Sequence, residues 1–553
     1  MNRNCMPVLY GSTENRKEPF LPELISPDTR LPVNKKGTAA VQTLTPGLRR
    51  FLYFTAASTG AAILIVEILG AKMLSPYLGT SHFVWTAQIA VTLLSLAVGY
   101  WFGGWLVDRS QKLQQLYLCI LAAGIYLALT IPFTKNVAYA CLSLSLPVGS
   151  LLASLFLFFV PLTLLAVTGP FCIRILTSSV NAVGGNVGRL SAISTLGSVL
   201  GTVLIGYVLI PFLPNSVTML ITAGYLAVLS FVFLFMWRSK SGSNLVPVIL
   251  TTIALLAGYR GVQLDGKSPS DYFTEIERTN SNFGLMQVME VDGGLRRYYL
   301  NDYLTQNTYD PETGQSTSLF THMLHGLAHY YTRSTDEVFC IGLGVGIVPM
   351  LFANEGSQVD VVEINDKIVD LGARHFGLKP NKLNITIGDG RYYLNQSRKQ
   401  YDAVILDAFL GDSSPSHLMT REAFSEMSRV LKPEGVLVIN SFGEFGSGKD
   451  FFTASLDKTL KAVFRQVRIH ASGNGNVFYV ATNAESLDKL RDFPFDKAYP
   501  ENRQGIDDAL AGIRQVNPRS GIVLTDDFNP VEFHDAGNRE ELRRNLAFSM
   551  RSM

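Results

Sequence analysis

Seven long apolar segments in the first half of the chain constrain its fold more than any other feature. A helix needs about 20 apolar residues to cross the hydrocarbon core of a bilayer. Segments of this kind lie at residues 50–72, 84–107, 114–134, 150–174, 188–212, 216–237 and 244–261. Because lipid offers the backbone no hydrogen bonds, such segments cross it as helices. The sequence therefore predicts an α-helical membrane domain of seven spans over residues 47–262.

Residues 1–46 differ from this region, since they are polar and contain several prolines and many charged side chains. No short apolar core follows a basic start, so the segment is not predicted to be a cleaved signal peptide. A segment this polar cannot bury a core of its own, and we expect a disordered N-terminal tail.

Two features of the apolar region are candidates for more than anchoring. Glu67 lies inside the first segment, where an ionisable side chain is costly and is by default a functional residue. The alternative is a carboxylate near the lipid headgroups that pairs with Lys72 or Arg174. Gly197 and Gly201 form a GxxxG pattern, which predicts that two helices pack closely.

The second half of the chain has the pattern of an α/β domain. Short apolar runs predict strands at residues 338–342, 359–363, 384–387, 402–407, 436–441 and 477–482. Strands that alternate with helical patterns indicate a parallel sheet, so we predict a Rossmann-like, methyltransferase-type domain over residues 336–545. An Asp292-Gly293-Gly294 turn between two strand-like runs is a hairpin signal, and it predicts a small β unit over residues 263–335.

Glycines and a carboxylate stand at the ends of the first two predicted strands, where parallel sheets bind ligands. Gly342, Gly344 and Gly346 follow the first strand and precede a helix, so the backbone there can approach a ligand closely. Glu363 ends the second strand, 17 residues after Gly346. A carboxylate at this position is typical of binding to ribose hydroxyls.

Three more polar positions follow the next strands. Asp389 and Gly390 end the third strand and fit a site for an adenine amino group, with a simple turn as the alternative. Asp407 ends the fourth strand and Asp412 follows in the next loop. Two neighbouring carboxylates suit a cationic amine, because one binds the ammonium group and one accepts a proton from the attacking nitrogen. A capping role in a loop is the alternative for both.

Charge and cysteine content exclude other classes of function. A net charge of +2 gives no basic footprint for nucleic acid. The five cysteines are scattered, and no Cys/His spacing indicates zinc. Neither a metal site nor a disulfide framework is predicted.

Taken together, these motifs resemble the spermidine synthase (polyamine aminopropyltransferase) family over residues 270–545. The apolar region is similar to that of multi-pass, membrane-bound bacterial members. The motifs that carry the resemblance, besides the hairpin and the glycine loop, are Leu64–Glu67, Pro76–Gly79, Trp85, Gly99-Tyr100, Gly103-Gly104, Val361–Ile364, Gly388–Arg391, Tyr401–Asp407 and Leu524–Glu532.

The resemblance implies an enzyme that moves an aminopropyl group from decarboxylated S-adenosylmethionine to a diamine such as putrescine, giving spermidine and methylthioadenosine. The implied donor site comprises Gly342, Gly344, Gly346, Glu363, Asp389 and Gly390. The implied catalytic base or amine anchor is Asp407, and the implied amine contacts are Gln306, His322 and Asp412. The family also implies a homodimer, with no metal and no tightly bound cofactor.

One departure from the family pattern keeps alternatives open. Family members have an acidic residue inside the glycine motif that holds the aminopropyl nitrogen, and this chain has Val345 there. The donor could therefore be S-adenosylmethionine itself, used by a methyltransferase or another enzyme on the same fold. A polyamine transporter or sensor, with Glu67 in a translocation path, is the third interpretation.

The expected location is the bacterial inner membrane, with the catalytic domain in the cytoplasm where the donor is made. The basic residues argue the other way. One set of loops has Arg49, Arg50, Arg109, Lys112, Arg174, Arg189, Arg238 and Lys240, and the other has little besides Lys72 and Lys135. The positive-inside rule then places the N-terminus in the cytoplasm and, after seven spans, the catalytic domain outside. We expect a miscount at residues 135–149 or 244–261.

Overall fold

The computed structural model describes residues 44–79, 82–177, 183–237, 245–265, 273–409, 415–471, 473, 475–534, 538 and 541. The predicted tail, apart from its last three residues, and the predicted site residue Asp412 lie outside these ranges. From Thr45 onward the chain packs as one compact unit.

The first half of the chain is helical. Its helices are α1 (Pro46–Leu78), α2 (His82–Arg109), α3 (Leu113–Cys141), α4 (Leu146–Ala166), α5 (Thr168–Leu176), α6 (Val183–Leu204), α7 (Ile210–Phe212), α8 (Asn215–Met236) and α9 (Leu245–Asp265). Only Val167 separates α4 from α5, and a π-helical segment, Ile205–Leu209, joins α6 to α7. In the described residues, seven helical units are therefore long and apolar enough to cross a membrane.

The seven predicted segments are confirmed as helices, and the expected miscount stays a prediction, because length and composition do not show which helices cross a membrane. Residues 135–149 form the end of α3, a short turn and the start of α4, so they add no span. Residues 245–265 form the complete helix α9. If all seven helices cross, the start of α1 and the end of α9 lie on opposite sides of the membrane, because the number of crossings is odd.

The predicted GxxxG pattern brings α6 directly against α1. A Cβ atom added to Gly197 would lie 2.0 Å from the carbonyl oxygen of Ala57, and one added to Gly201 would lie 2.6 Å from that of Ala61. Between them, the Ser198 hydroxyl donates a hydrogen bond of 3.0 Å to the carbonyl of Gly60. Only glycine allows two helix backbones to approach this closely, so the packing prediction is confirmed.

A small antiparallel sheet follows the helices. Its strands, in spatial order, are β1 (Phe273–Ser281), β2 (Gly284–Val291), β3 (Arg296–Asn301), β4 (Leu304–Asp310) and β5 (Gln315–Ser316). The predicted hairpin is β2–β3, with Val291 opposite Arg296. Asp302 and Tyr303 form the two-residue turn between β3 and β4, with φ of +47° and +62°, the signs that such tight hairpin turns require.

In the part of the chain that the structure describes, a second sheet of eight strands forms the C-terminal domain. Its strands are β6 (Glu337–Ile341), β7 (Gln358–Glu363), β8 (Asn384–Ile387), β9 (Tyr401–Leu406), β10 (Leu431–Phe442), β11 (Gln466–Ala471), β12 (Asn476–Thr482) and β13 (Ile513–Arg514). Their spatial order is β13-β11-β12-β10-β9-β6-β7-β8. The helices around it are α10 (Leu319–Tyr331), α11 (Ile347–Asn354), α12 (Lys367–His375), α13 (Gly390–Gln396), α14 (Arg421–Arg429), α15 (Phe451–Lys461), α16 (Arg503–Ala511) and α17 (Val531–His534).

The sheet is mixed, which partly corrects the prediction of a parallel sheet. Strands β10, β9, β6, β7 and β8 are parallel, whereas β12, β11 and β13 are antiparallel to their neighbours. The physical reason is that only residues 472–475 separate β11 from β12. A link this short makes a hairpin, because a parallel crossover needs a dozen or more residues.

Both faces of the sheet are covered by apolar side chains. Along β6, Val338 and Cys340 belong to one apolar cluster, and Phe339 and Ile341 belong to the other. Each is at most 2% exposed, and full burial of an apolar side chain of this size contributes about 1.5–3 kcal/mol. This burial on both faces explains why the strand reads as an unbroken apolar run.

The helical region contacts the C-terminal region near the loops that follow the strands. Lys367 Nζ, at the start of α12, donates hydrogen bonds to the carbonyls of Pro211 at 3.0 Å and of Asn280 at 2.6 Å. The ring of Tyr303 stacks on Tyr77 at the end of α1, with centroids 5.8 Å apart. The loop after Glu363 is therefore attached to the helical region.

Candidate functional site

The candidate site lies where the order of the parallel strands reverses. The chain runs from β6 outward to β7 and β8, and then returns to place β9 on the other side of β6. Loops that follow two such neighbours diverge and leave a crevice, which is the usual ligand site of open α/β sheets. The predicted glycine loop follows β6 and the predicted Asp407 follows β9, so the structure brings them to one crevice.

The glycine loop has a backbone that only glycine adopts readily. Gly342, Gly344 and Gly346 have φ of +98°, +53° and +89°, in the region that side chains disfavour. A Cβ on Gly342 would lie 2.2 Å from the carbonyl oxygen of Asp407, so the loop packs against the end of β9. Gly346 is the N-cap of α11, whose first N–H groups therefore begin at the loop.

Glu363 is tied to this loop by its carboxylate. Its Oε2 accepts a hydrogen bond of 2.8 Å from Leu343 N, and its Oε1 accepts one of 2.8 Å from Asn365 N. Burial raises the pKa of Glu363 above its ordinary value, despite the opposing effect of these hydrogen bonds. The two backbone donors fix the orientation of the carboxylate, and each oxygen keeps a second lone pair for a ligand hydroxyl.

Asp389 and Gly390 occupy the end of β8 and the start of α13. Asp389 caps the helix, since its Oδ1 accepts a hydrogen bond of 2.9 Å from Tyr392 N, and its Oδ2 lies 3.0 Å from His417 Nε2. Partial burial acts to raise the pKa of Asp389, but these hydrogen bonds outweigh it and the pKa is lowered. A Cβ on Gly390 would lie 2.7 Å from Ile341 Cγ2, so a small residue is needed there.

Two asparagines from later strands hold Asp407 through two consecutive hydrogen bonds. Asn440 Nδ2 in β10 donates a hydrogen bond of 2.9 Å to Asp407 Oδ1, and Asn476 Nδ2 in β12 donates one of 3.0 Å to Asn440 Oδ1. Burial raises the pKa of Asp407 to about 6, while the Asn440 hydrogen bond lowers it. A carboxyl with this pKa can exchange a proton near neutral pH.

Asn440 is a residue that the sequence analysis missed. It is 3% exposed and ends the apolar run Val436–Ile439. A buried polar residue at the carboxyl end of a buried strand was the available signal. Asn476 offered no comparable signal, because only the antiparallel pairing of β10 with β12 brings it next to Asn440.

Val345 lies in the apolar core. Its side chain is fully buried in the cluster beneath the glycine loop, together with Leu343 and Val348. The hydrophobic effect favours this placement for valine. The position at which the family pattern has a carboxylate therefore contributes packing in this chain.

Gln306 and His322, which are predicted to contact an amine, lie on other elements than the glycine loop, Glu363 and Asp407. Gln306 lies in β4, partly buried, with Nε2 3.4 Å from the carbonyl of Leu304. Its neighbour Asn307 faces the glycine loop: Nδ2 lies 3.8 Å from a Cβ placed on Gly344. Asn307 Oδ1 is buried and has no hydrogen-bond partner among the described residues, which makes Asn307 a second residue that the sequence analysis missed.

His322 is 3% exposed in α10. Its Nε2 donates a hydrogen bond of 2.8 Å to the carbonyl of Ser316 and lies 3.4 Å from Tyr499 N. Burial lowers the pKa of His322. In the part of the chain that the structure describes, no hydrogen bond joins His322 to Glu363 or Asp407.

Glu67 is partly buried in α1. The pairing with Lys72 or Arg174, considered above, is not found among ion pairs of the described residues; Arg174 lies 4.0 Å from Asp108 instead.

Residues 317–472 match the spermine/spermidine synthase domain, and this range includes the glycine loop, Glu363, Asp389, Asp407 and Asn440. The chain is 37% identical over 118 residues to a polyamine aminopropyltransferase of Vibrio vulnificus, an alignment that covers 20% of this chain and 40% of that protein. It is 26% identical over 280 residues to an N-terminal histidine N-methyltransferase of Emericella nidulans, covering 46% of this chain and 50% of that protein. The chain thus spans 40% and 50% of the length of these two relatives.

A further relative extends the similarity into the helical region. Polyamine aminopropyltransferase 2 of Aquifex aeolicus is 22% identical over 418 residues, covering 73% of this chain and 81% of that protein. The residues after α9 make up barely half of the 553, so an alignment of this length includes part of the helices.

Proposed function

We propose that this chain, whose residues 317–472 match the spermine/spermidine synthase domain, is a membrane-anchored aminopropyltransferase. It transfers an aminopropyl group from decarboxylated S-adenosylmethionine to a diamine such as putrescine. The observation that carries the proposal is the convergence of the glycine loop, Glu363 and Asp407 at one crevice. Burial there raises the pKa of Asp407 to about 6.

The nucleoside end of the donor is assigned to the glycine loop and the neighbouring strand ends. The two Glu363 oxygens accept hydrogen bonds from the ribose hydroxyls, in the manner typical of this position. The backbone of Gly344, which has Asn307 Nδ2 as its nearest side-chain neighbour, is assigned to contact the donor. Asp389 and Gly390 are assigned to the adenine amino group, through the lone pairs of Asp389 that the α13 cap leaves free.

The reaction proceeds at the propyl carbon beside the sulfonium. The amine lone pair forms the new C–N bond while the C–S bond breaks, and the electron pair of that bond passes to sulfur. Methylthioadenosine leaves as a neutral thioether, so the leaving group needs no acid. Asp407 accepts the proton that the nitrogen must lose, a role that suits a carboxyl with pKa about 6.

The diamine that receives the aminopropyl group is assigned to the side of the crevice under β4. Gln306 and Asp412 are proposed amine contacts, and Asn307, whose buried Oδ1 has no hydrogen-bond partner among the described residues, adds a further acceptor for an ammonium group. We propose that His322 affects amine binding indirectly, because its Nε2 is hydrogen-bonded to the carbonyl of Ser316 at the end of the small sheet. Assembly as a homodimer is proposed from the family resemblance.

A second candidate is a methyltransferase that uses S-adenosylmethionine itself. It is favoured by the burial of Val345, which leaves no carboxylate inside the glycine motif for an aminopropyl ammonium. The similarity to an N-terminal histidine N-methyltransferase points the same way. The two functions differ in the nucleoside released, which is methylthioadenosine for one and S-adenosylhomocysteine for the other.

The proposed location is the bacterial inner membrane, with the seven helices as spans and the catalytic domain in the cytoplasm, where its donor is made. The basic residues at the start of α1 and at the ends of α2 and α5 favour the reverse orientation. Fusions of alkaline phosphatase and of green fluorescent protein to the C-terminus decide the question. The proposal predicts fluorescence without phosphatase activity, and active phosphatase would overturn it.

The activity is tested with purified full-length protein in detergent. Each donor is incubated with putrescine, cadaverine, spermidine and an N-terminal histidine peptide, and products are identified by mass spectrometry. We expect an added aminopropyl group and released methylthioadenosine. Asp407→Asn is the inactive control, and Asp402→Asn, the same substitution at the opposite end of β9, is the matched control that keeps activity. Methylated products alone would establish the second candidate.

A further inference from the structure

A cluster of two histidines and a glutamate lies outside the candidate active site. His325 and His329 are four residues apart on α10, so both rings project from one face of the helix. Glu355 follows α11 directly and reaches the same point from the neighbouring helix. Three potential ligands from two elements therefore converge, in a region to which the proposed reaction assigns no role.

The donor atoms of the cluster are close enough to share one ion. His325 Nε2 lies 3.1 Å and His329 Nε2 lies 2.7 Å from the same oxygen, Glu355 Oε2. All three ligand atoms fall within 4.8 Å of one another. A tetrahedral zinc site with bonds of about 2.0–2.1 Å separates its ligand atoms by about 3.3 Å, so a small outward movement of the three groups admits a cation.

The side chains of the cluster are buried or partly buried, and the two histidines pack against an aromatic ring. His325 is 1% exposed, and both imidazoles pack on Phe352, with ring centroids 4.7 and 5.8 Å away. In this arrangement Nε2 of both rings faces Glu355 Oε2. The His329 and Glu355 side chains remain 14% and 23% exposed, which leaves room for a water molecule as a fourth ligand.

We propose that His325, His329 and Glu355 bind a divalent cation of the zinc class, at a structural site that joins α10 to α11. Two imidazoles at positions i and i+4 with one carboxylate are a donor set that zinc uses with an added water. Imidazole nitrogens disfavour calcium and magnesium, which take oxygen ligands. To bind the cation through Nε2, each neutral imidazole would carry its proton on Nδ1.

The position of the site gives the ion a structural role. Helix α11 begins at Gly346 of the glycine loop and ends at Asn354, next to Glu355. Eight helical residues span about 12 Å, so the ion sits at the far end of the helix that starts at the donor site. It holds the position of that helix and takes no part in the reaction. Sequence reasoning could detect the spacing of the two histidines but could not place Glu355 beside them.

The chain offers a matched control for the test. His375 Nε2 lies 2.6 Å from Glu277 Oε2, and Arg374 Nη2 lies 2.6 Å from Glu277 Oε1. This cluster also links two elements through a His–Glu contact, but an arginine replaces the second histidine. His375→Ala therefore removes an equivalent contact without removing a zinc ligand.

The experiment uses untagged, full-length protein that has been treated with chelator and exchanged into metal-free buffer. Zinc is titrated against a fluorescent chelator, bound zinc is counted by elemental mass spectrometry, and cobalt is added separately to record its visible absorption. We expect one tight zinc ion per chain, tetrahedral cobalt bands and a raised thermal midpoint for the wild type and for His375→Ala. His329→Ala and Glu355→Gln should each lose the tight ion and the bands.

Two results would overturn the proposal. One is a wild-type chain that takes up no zinc at micromolar free metal. The other is tight zinc that persists unchanged in both His329→Ala and Glu355→Gln. Circular dichroism melts of the metal-free variants establish that each is folded before metal is added. If His329→Ala does not fold, His329→Gln replaces it, because glutamine preserves a hydrogen bond to Glu355 but is a poor zinc ligand.

Discussion

The two halves of the candidate crevice are built in different ways. The half assigned to the nucleoside is fixed by backbone: three glycines with positive φ, and a Glu363 carboxylate held by two backbone N–H groups. The half assigned to the amine is fixed by side chains, because Asp407 depends on Asn440, which depends on Asn476. Because backbone geometry fixes the first half, this half is rigid and can be predicted from the sequence. The second half depends on strands that are far apart in the chain.

Substitution of Asp407 should have the largest effect. Asp407→Asn cannot accept the proton of the attacking amine, and loss of a positioned general base typically lowers turnover by about 10²–10⁴-fold. Binding of methylthioadenosine should stay near the wild-type value, because the nucleoside half is built separately. Single-turnover kinetics and calorimetry measure the two quantities. A variant that turns over normally, or that loses nucleoside binding and turnover together, would break the distinction between the halves.

Substitution of Glu363 should weaken nucleoside binding more than it slows the chemical step. Glu363→Ala leaves the ribose hydroxyls without an acceptor, which we expect to weaken binding of methylthioadenosine by about 1–3 kcal/mol. At saturating donor the chemical step should change less than the affinity, since Asp407 is untouched. Titration calorimetry gives the affinity, and an unchanged dissociation constant would remove Glu363 from the donor site.

The pH dependence of the reaction tests the side-chain half. The Asp407 base must be ionised to accept a proton, so kcat/KM should fall as pH drops through the pKa of about 6. The Asn440 hydrogen bond lowers this pKa, so Asn440→Ala should move the acidic limb of the profile to higher pH, with a modest loss of rate. A limb that does not move in Asn440→Ala would show that another group titrates.

We expect the smallest effect from substitution of Lys367, which joins the helical region to the nucleoside half of the crevice. Lys367 lies four residues after Glu363 and donates to the carbonyls of Pro211 and Asn280. Lys367→Met should loosen the Glu363 loop and weaken nucleoside binding by about 0.5–1.5 kcal/mol, the net value of a typical hydrogen bond. Lys379→Met, a variant in the loop beyond α12, is the control. An effect larger than that of Glu363→Ala would mean that the helices help to form the site.

Much of the architecture could be predicted because it follows from local patterns. The seven apolar segments are helices, and the strands around the glycine loop, Glu363 and Asp407 lie within one or two residues of their predicted positions. The hairpin at Asp292–Gly294 is present because its turn residues specify it. These features depend on burial and turn chemistry within short stretches of sequence, which is what single-sequence reasoning detects.

The remaining features depend on contacts between distant parts of the chain. The antiparallel edge with β11 and β13 was missed, because these strands are specified by their pairing, β11 with β12 and β13 with β11. Asn476 beside Asn440, and Glu355 beside His325 and His329, are brought together only by the folded chain. The roles of the site residues stay predictions, and Asp412 lies outside the described residues.

The most direct test of the central claim is a competition between the two donors in one reaction. Purified full-length protein receives equal concentrations of decarboxylated S-adenosylmethionine and S-adenosylmethionine with excess putrescine, and the released nucleosides are separated and quantified. We expect methylthioadenosine as the product in the wild type and its loss in Asp407→Asn. Release of S-adenosylhomocysteine in place of methylthioadenosine would contradict aminopropyl transfer and assign the crevice to a methyltransferase.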